Sequence, residues 1–262
     1  MKMLTVSSAR RLTPRMARIS FGGEGLDEFE TWPDQQLKLC FPKPGHAVPR
    51  LDDADAMSWY QAFMAIPDSE RPWMRSFTVR AHDPARHEID VDFVLHGDAG
   101  PASRWALSAA PGDVIGRYGP DKVYYRPLGD ADWYLFAGDE TALPAIGSLL
   151  ESLPERTSAL VFVEVAAPEE ELPLPGVHWL HRSAGESVVD AVSSATFPPS
   201  NGFAWLAGEA GAVRTMRRHL VGERGIDKKS IEFTGYWRRA LTQDDAPTPE
   251  DMAEAQEKIA TW

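Results

Sequence analysis

The chain has 262 residues, with 27 basic and 39 acidic side chains and a formal net charge of −12, a field that opposes both nucleic acid and anionic membrane. Hydrophobic residues make up 43% and charged residues 25%, which excludes a disordered or fibrous chain, and the length suits two domains. The single cysteine, Cys40, lies in the apolar run 37–41; it has no internal disulfide partner and reads as a small hydrophobe in a reducing compartment. The first apolar run is too short for a signal peptide, and no segment approaches the roughly 18 to 20 apolar residues of a membrane span, so a cytoplasmic protein is expected.

Up to about residue 127 the chain is strand-like, with short β-rich runs broken by Gly, Pro and Asp, the pattern of a small antiparallel barrel. Strands are predicted at 15–21, 36–41, 77–82, 88–95 and 113–118. Ile89, Val91, Phe93 and Leu95 alternate with Glu88, Asp90, Asp92 and Val94, which predicts one buried face. Residues 42–72, rich in Pro, Asp and Met, read as a long excursion with a helical turn near 57–64. In Arg75-Ser76-Phe77-Thr78-Val79-Arg80, an extended segment presents guanidinium groups suited to a diphosphate and a ring face suited to a planar heterocycle. A plain edge strand accounts for the same residues. The loop 96–103 leads into a short predicted helix at 104–109, with Ser103 placed to cap its first turn. Small residues at such a start let backbone amides approach an anion, although a serine-capped loop needs no ligand.

After residue 127 the rhythm changes. Residues 133–138 form a continuous apolar run, the mark of a strand buried on both faces, and pass through Asp139-Glu140-Thr141 into a predicted helix at 142–152. Further strands at 159–165, 177–181, 203–207 and 230–237, separated by helix-length segments such as 209–223, predict an open α/β domain with ligands at the carboxyl ends of a parallel sheet. The loop carboxylates Glu169 and Glu170 lie among prolines and read as structural and solvated. Thr248-Pro249-Glu250-Asp251 is a helix start, and Met252, Ala255, Ile259 and Trp262 make an apolar stripe expected to pack on the α/β domain. The expected boundaries are 1–127, 128–242 and a C-terminal helix in 243–262.

Two turns stand where such a sheet binds ligands: 138–145, and Ala207-Gly208-Glu209. Neither is a glycine-rich dinucleotide fingerprint or a P-loop. Thr141 offers a hydroxyl to a ligand amide, while helix capping explains Asp139 and Thr141 equally well. The seven histidines are dispersed with no His-x-x-x-His or Cys-x-x-Cys pair, and no Gly-x-Ser-x-Gly occurs; a metal centre and a serine hydrolase are therefore not expected.

Taken in order, Arg75-Ser76-Phe77-Thr78-Val79-Arg80, residues 92–97 with 100–106, residues 138–145, Ala207-Gly208-Glu209 and Gly235-Tyr236-Trp237-Arg238 resemble the siderophore-interacting protein family. These are flavin-dependent ferric-siderophore reductases of the ferredoxin-reductase-like superfamily, and the resemblance spans about residues 10–240. It implies an N-terminal six-stranded antiparallel FAD-binding barrel followed by an open α/β nicotinamide-nucleotide-binding-type domain. It also implies that Arg75 and Thr78 meet the FAD phosphates and flavin edge, and that Phe77 stacks on the isoalloxazine. The family commonly has tyrosine there; phenylalanine keeps the stacking face and lacks the hydroxyl. His96, Gly97, Gly100, Pro101, Ala102 and Ser103 would line the diphosphate and adenosine. Ser76, Val79, Arg80, Asp92, Val94 and Trp105 complete the barrel's cofactor set. Gly138, Asp139, Glu140, Thr141, Ala142, Ala207, Gly208 and Glu209 would border the nicotinamide, with Tyr236 and Trp237, like Thr141, near the flavin.

Hydride would pass from nicotinamide C4 to flavin N5 and single electrons onward to Fe(III), so the resemblance requires no catalytic acid or base from the protein. The implied cofactor is FAD and the donor NADH, NADPH or a ferredoxin, in a monomer. An NADPH enzyme would want a cation after the second α/β strand, where this chain has Glu164 and 169–171; only His181-Arg182, after the next strand, is basic. This favours NADH or a protein donor. An anionic ferric siderophore would need a local cationic cluster in so acidic a protein, drawn from Lys38, Arg238 and Arg239, with Lys43 better read as a surface charge. The alternatives are a reductase with another acceptor, or a non-catalytic siderophore- or flavin-binding module. Phe77→Ala is expected to weaken FAD retention and Phe77→Tyr to shift the flavin potential; an unchanged flavin content and spectrum in Phe77→Ala would place the ring elsewhere.

Overall fold

In a computed structural model the described residues are 1–51, 56–96, 100–119, 127–239, 241–242 and 244–261, with 56–57 and 258–261 as backbone only. They form two compact units. Met1–Pro127, Leu143–Pro154 and Pro168–Leu174 make the first, and Leu128–Ala142, Glu155–Ala167 and Pro175–Trp262 the second.

The first unit holds seven strands: β1 (Lys2–Thr13), β2 (Met16–Gly23), β3 (Gln36–Phe41), β4 (Trp73–Thr78), β5 (Ala81–Asp83), β6 (Glu88–Val94) and β7 (Val114–Tyr118). Their order is β4-β3-β7-β1-β2-β6-β5, with every pair antiparallel. The alternation read in β6 places Ile89, Val91 and Phe93 in the barrel interior with Leu4, Ile19, Phe21, Leu39 and Phe41.

The barrel has seven strands rather than six because the predicted run 77–82 breaks. β4 pairs with β3, in register Phe77 to Leu37, whereas β5 pairs with β6. Between them the Val79 amide donates to Gln35 O and the Arg80 amide to Asp90 O, each at 2.8 Å. The two outermost strands are thus consecutive in the chain, and the crossover carries it from one edge of the sheet to the other. β1 lies between β7 and β2 and escapes the sequence reading. Leu4 and Val6 are buried, but 7–11 are all exposed, and no alternation runs through the strand.

Helix α1 (Ala56–Ala65) covers the turn predicted at 57–64 and buries Trp59 and Phe63 beside Met1 and Cys40. Helix α2 (Pro101–Ser108) follows β6. Two later segments also belong to this unit. Helix α3 (Leu143–Ser152) receives the Asp34 amide on Ser148 Oγ at 3.0 Å. In 168–174, Glu170 is buried rather than solvated; its Oε2 accepts the Thr13 hydroxyl at 2.5 Å and the Arg15 amide at 3.0 Å.

The second unit is a parallel sheet of β8 (Trp133–Asp139), β9 (Ser158–Val165), β10 (Val177–His181), β11 (Gly202–Glu209) and β12 (Ile231–Trp237), ordered β10-β9-β8-β11-β12. Every residue of β8 is buried, as its unbroken apolar run requires. Helices α4 (Val188–Ser194) and α5 (Ala210–Gly222) close the core through Val192, Val213, Met216 and Leu220. The chain runs from β8 outward to β9 and β10, then returns to β8's other flank as β11. The gap between β8 and β11 is therefore the switch point, where open α/β sheets bind ligands.

Helix α6 (Pro249–Thr261) starts as read from the sequence: the Asp251 amide donates to Thr248 Oγ1 at 3.2 Å and the Thr248 amide to Asp251 Oδ2 at 2.8 Å. Two residues of the expected apolar stripe are not buried. Met252 is 51% exposed and Ala255 is exposed, the side chain of Ile259 is not among those described, and Trp262 lies outside the described residues. The helix is instead held by acidic residues three apart: Asp251 meets Arg214 (2.7 Å) and Arg238 (2.8 Å), Glu254 meets Arg214 (2.5 Å), and Glu257 meets Arg217 (2.7 Å) and Lys228 (3.3 Å). No described helix is long and apolar enough to cross a membrane.

The hydrogen bond from Arg217 holds the Glu257 carboxyl below its ordinary 4.5, so the stability it adds is present at neutral pH and is lost as the pH falls through the depressed value. Salt acts in the same direction, since the screening length shrinks to about 3 Å at 1 M. Limited proteolysis in 243–248 is expected to quicken with salt and with acid while cleavage of the barrel does not; a salt-independent rate would mean that apolar packing holds α6.

Candidate functional site

The end of β8 is organised by one carboxylate. Asp139 is buried, and burial raises its pKa, against which the Thr141 hydroxyl pulls it down. Its Oδ1 accepts the Thr141 amide at 2.9 Å and the Thr141 hydroxyl at 2.5 Å, and its Oδ2 accepts the Glu209 amide at 2.8 Å and the Trp237 indole Nε1–H at 2.7 Å. Four donors suit the anion, which is acceptor-only. The carboxylate thereby ties the end of β8 to those of β11 and β12 across the switch point. Gly208 permits this approach: its φ is +132°, and a Cβ there would lie 2.6 Å from Asp139 Oδ2. The Asp139 carboxylate thus closes a turn on Thr141 ahead of α3, and the Ala142 amide also turns back to Asp139 O at 2.9 Å. Glu209 caps α5, its Oε2 accepting the Ala212 amide at 2.9 Å. Gly138, Ala142 and Ala207 are buried in the same turns, and Trp237 remains 37% exposed. Tyr236 packs its ring against the edge of Trp205.

Beside this knot, Glu140 and Glu164 share Arg182. Arg182 Nη1 and Nη2 reach the Glu140 oxygens at 2.8 and 2.5 Å, and Nη1 reaches Glu164 Oε1 at 3.3 Å.

In the first unit the hexapeptide separates into different roles. Arg75 is half-buried on β4 and donates to Met74 O at 2.9 Å. Ser76 Oγ accepts Lys38 Nζ at 2.5 Å from the neighbouring β3, with Lys38 exposed. Phe77 rests on the interior ring cluster, 4.5 Å from Phe93 and 6.0 Å from Phe41, and is half-exposed. Thr78 and Val79 are buried. Arg80 makes a two-pronged pair with Glu151 of α3, at 2.9 and 2.5 Å, its guanidinium lying where a side chain at Gly147 would collide. Asp92 is likewise engaged, accepting Arg18 Nε and Nη2 at 2.7 and 2.8 Å.

Helix α2 begins three residues earlier than predicted, with Gly100 at its N-cap, no side-chain cap and Pro101 in the first turn. Ser103 therefore lies inside the helix, buried, where its hydroxyl accepts the His96 amide at 3.2 Å. Proline suits a first helical turn, and this moves the start ahead of the serine. His96 is exposed and Val94, Pro101 and Ala102 are half-buried; Gly97 lies outside the described residues. Trp105 stacks on Phe21 within the barrel's ring cluster.

Arg238 is bound by the tail, donating to Asp251 and to the carbonyls of Thr242, Asp245 and Ala246. Arg239 has an exposed side chain, and its amide donates to Glu209 Oε1 at 3.3 Å. Glu151, Arg18 and Asp251, the partners of Arg80, Asp92 and Arg238, went unread because nothing in the local pattern marks an ion-pair partner 71, 74 or 13 residues away.

A domain family described as the siderophore-interacting FAD-binding domain matches residues 5–124, and one described as siderophore-interacting protein matches residues 131–240. The chain is 34% identical over 245 residues to the NADPH-dependent ferric-chelate reductase of Escherichia coli, covering 89% of this chain and 91% of that protein. Among solved structures, a siderophore utilization protein from T. fusca superposes with a TM-score of 0.78 at 36% identity, covering 93% of this chain and 94% of that one. A siderophore-interacting protein from Aeromonas hydrophila superposes with a TM-score of 0.76 at 30% identity, covering 99% and 98%.

Replacing Asp139 by asparagine would set an amide NH2 against N–H donors. Each buried donor left unpaired costs about 1–3 kcal/mol, so Asp139→Asn is expected to lower the melting temperature by roughly 3–10 °C and to shift the Trp237 emission. An unchanged melt would remove Asp139 as the node of this site.

Proposed function

Because this chain belongs to the siderophore-interacting protein family, we propose that it is a reductase that carries electrons from a nicotinamide nucleotide through FAD to Fe(III) in a ferric siderophore. Iron leaves as Fe(II), a poorer partner for hard oxygen ligands. The observation that carries this reading is the Asp139 knot at the sheet's switch point: a turn whose donors are gathered on one carboxylate, at the place where an open α/β sheet takes a dinucleotide.

The barrel residues fit a flavin dinucleotide. A half-exposed ring, Phe77, is braced from behind by Phe41 and Phe93, with half-buried Arg75 two positions away on the same strand, and α2 opens without a side-chain cap. In this reading Arg75 offers its guanidinium to the diphosphate, Ser76 and Thr78 flank the ring support, and Gly100 to Ser103 bring the first turn of α2 to the cofactor's anionic groups. His96 and Gly97 border the same end. Bound FAD supplies the conversion of a hydride into single electrons. Asp139, Thr141, Gly208 and Glu209 shape the nicotinamide turn, and Trp237 is pinned beside them by Asp139. Arg80 and Asp92 serve the scaffold through Glu151 and Arg18. For the siderophore, exposed Lys38 and Arg239 are the cations in play, since Arg238 is taken by the tail. The nicotinamide donor implies a cytoplasmic setting.

Purified protein is expected to take up FAD, bleach on anaerobic addition of a nicotinamide nucleotide, and recolour on adding a ferric siderophore while a ferrous chelator traps Fe(II). A protein that takes up no FAD sinks the flavin reading, and reduced flavin that persists with the ferric siderophore sinks the acceptor.

A further inference from the structure

Three charged residues meet at the carboxyl ends of β8, β9 and β10. Glu164 is in register with Asp139 on one side and Leu180 on the other, so it stands at the end of the sheet's second strand. Its Oε2 accepts the Val188 amide at the start of α4, at 2.9 Å, and its Oε1 takes Arg182 at 3.3 Å. Glu140 grips the same guanidinium through both Nη1 and Nη2. Glu186 lies at the same edge, its Oε2 accepting the His181 amide at 2.7 Å. Two carboxylates therefore hold one guanidinium while a third, Glu186, sits on the adjoining His181 amide, and the edge is net negative.

In a sheet of this order the adenosine ribose of a dinucleotide falls by the end of the second strand, where a carboxylate accepts a ribose 2′-hydroxyl or a cation receives a 2′-phosphate. Arg182 is the only cation in this cluster of described residues, and both its neighbours hold it. We propose that Glu140 and Glu164 make this protein select NADH over NADPH by keeping Arg182 from a 2′-phosphate, an inference that rests on the nicotinamide donor proposed above. A phosphate that took Arg182 would leave Glu140 and Glu164 unpaired beside two further negative charges. A 2′-hydroxyl asks only for an acceptor, and each Glu164 oxygen, bonded once in these contacts, has a lone pair left.

The test is anaerobic flavin reduction by NADH and by NADPH, read as the ratio of their kcat/KM values. Wild type is expected to favour NADH by about tenfold or more, the scale of one like-charge contact near a protein surface. Glu140→Gln with Glu164→Gln should free Arg182 and bring the ratio toward one, and adding Arg182→Ala should restore the preference. Should the double variant fail to fold, wild type carries the test alone, because salt should narrow its ratio by screening the repulsion. A wild type that prefers NADPH, a ratio unmoved in the double variant, or a wild-type ratio unmoved by salt overturns the selectivity and leaves the donor class standing. Flavin reduced by neither nucleotide overturns the donor class and this inference with it.

Discussion

An anionic carboxylate can stay buried only if donors surround it, and Asp139 collects its donors from chain segments 70 and 98 residues away as well as from its own turn. The ends of β8, β11 and β12 are fixed to one another by that requirement. Strand pairing aligns these segments, but the carboxylate sets how their last residues turn: the amide of Glu209 inward, the indole of Trp237 across. Gly208 is part of the same arrangement, since a side chain there would occupy the space of the carboxylate. The turn thus reaches any ligand already ordered, with little entropy left to lose.

The barrel meets a comparable demand with its crossover. One residue, Val79, bonds back to the strand pair being left, and the next, Arg80, to the strand being joined, so the hexapeptide is both a half-exposed strand and the seam of the barrel. Its two arginines divide accordingly. Arg75 remains on the half-exposed strand, and Arg80 secures α3, the helix that follows the Asp139 turn directly in sequence.

What a sequence shows well is periodicity and punctuation. The alternation of β6, the apolar run of β8 and the Thr248-Pro249 helix start all came through because each is a local property with a strong physical cause. The Gly138 and Gly208 turns also came through, since strand ends are fixed once the strands are. Partner choice between charges did not. Arg18 and Asp92 are simply register neighbours across β2 and β6, and period two marks Asp92 as polar-facing without saying that an arginine covers it. The tail shows the same limit: Met252 and Ala255 of the apolar stripe are exposed, while three acidic residues on that helix found four cations on α5 and its surroundings. β1 was invisible because its middle, residues 7–11, is exposed on both faces.

The path of the chain between the two units bears on how such proteins recombine. Each unit is assembled from three separate stretches, so neither corresponds to one continuous piece of gene. A break after residue 127 would strip the barrel of Glu151 and of buried Glu170, leaving Arg80 and the Thr13 hydroxyl without the carboxylates they hold. Shuffling that exchanged only the second half for another nucleotide-binding module would have to carry those two carboxylates along, so the halves of this architecture are constrained to be inherited together.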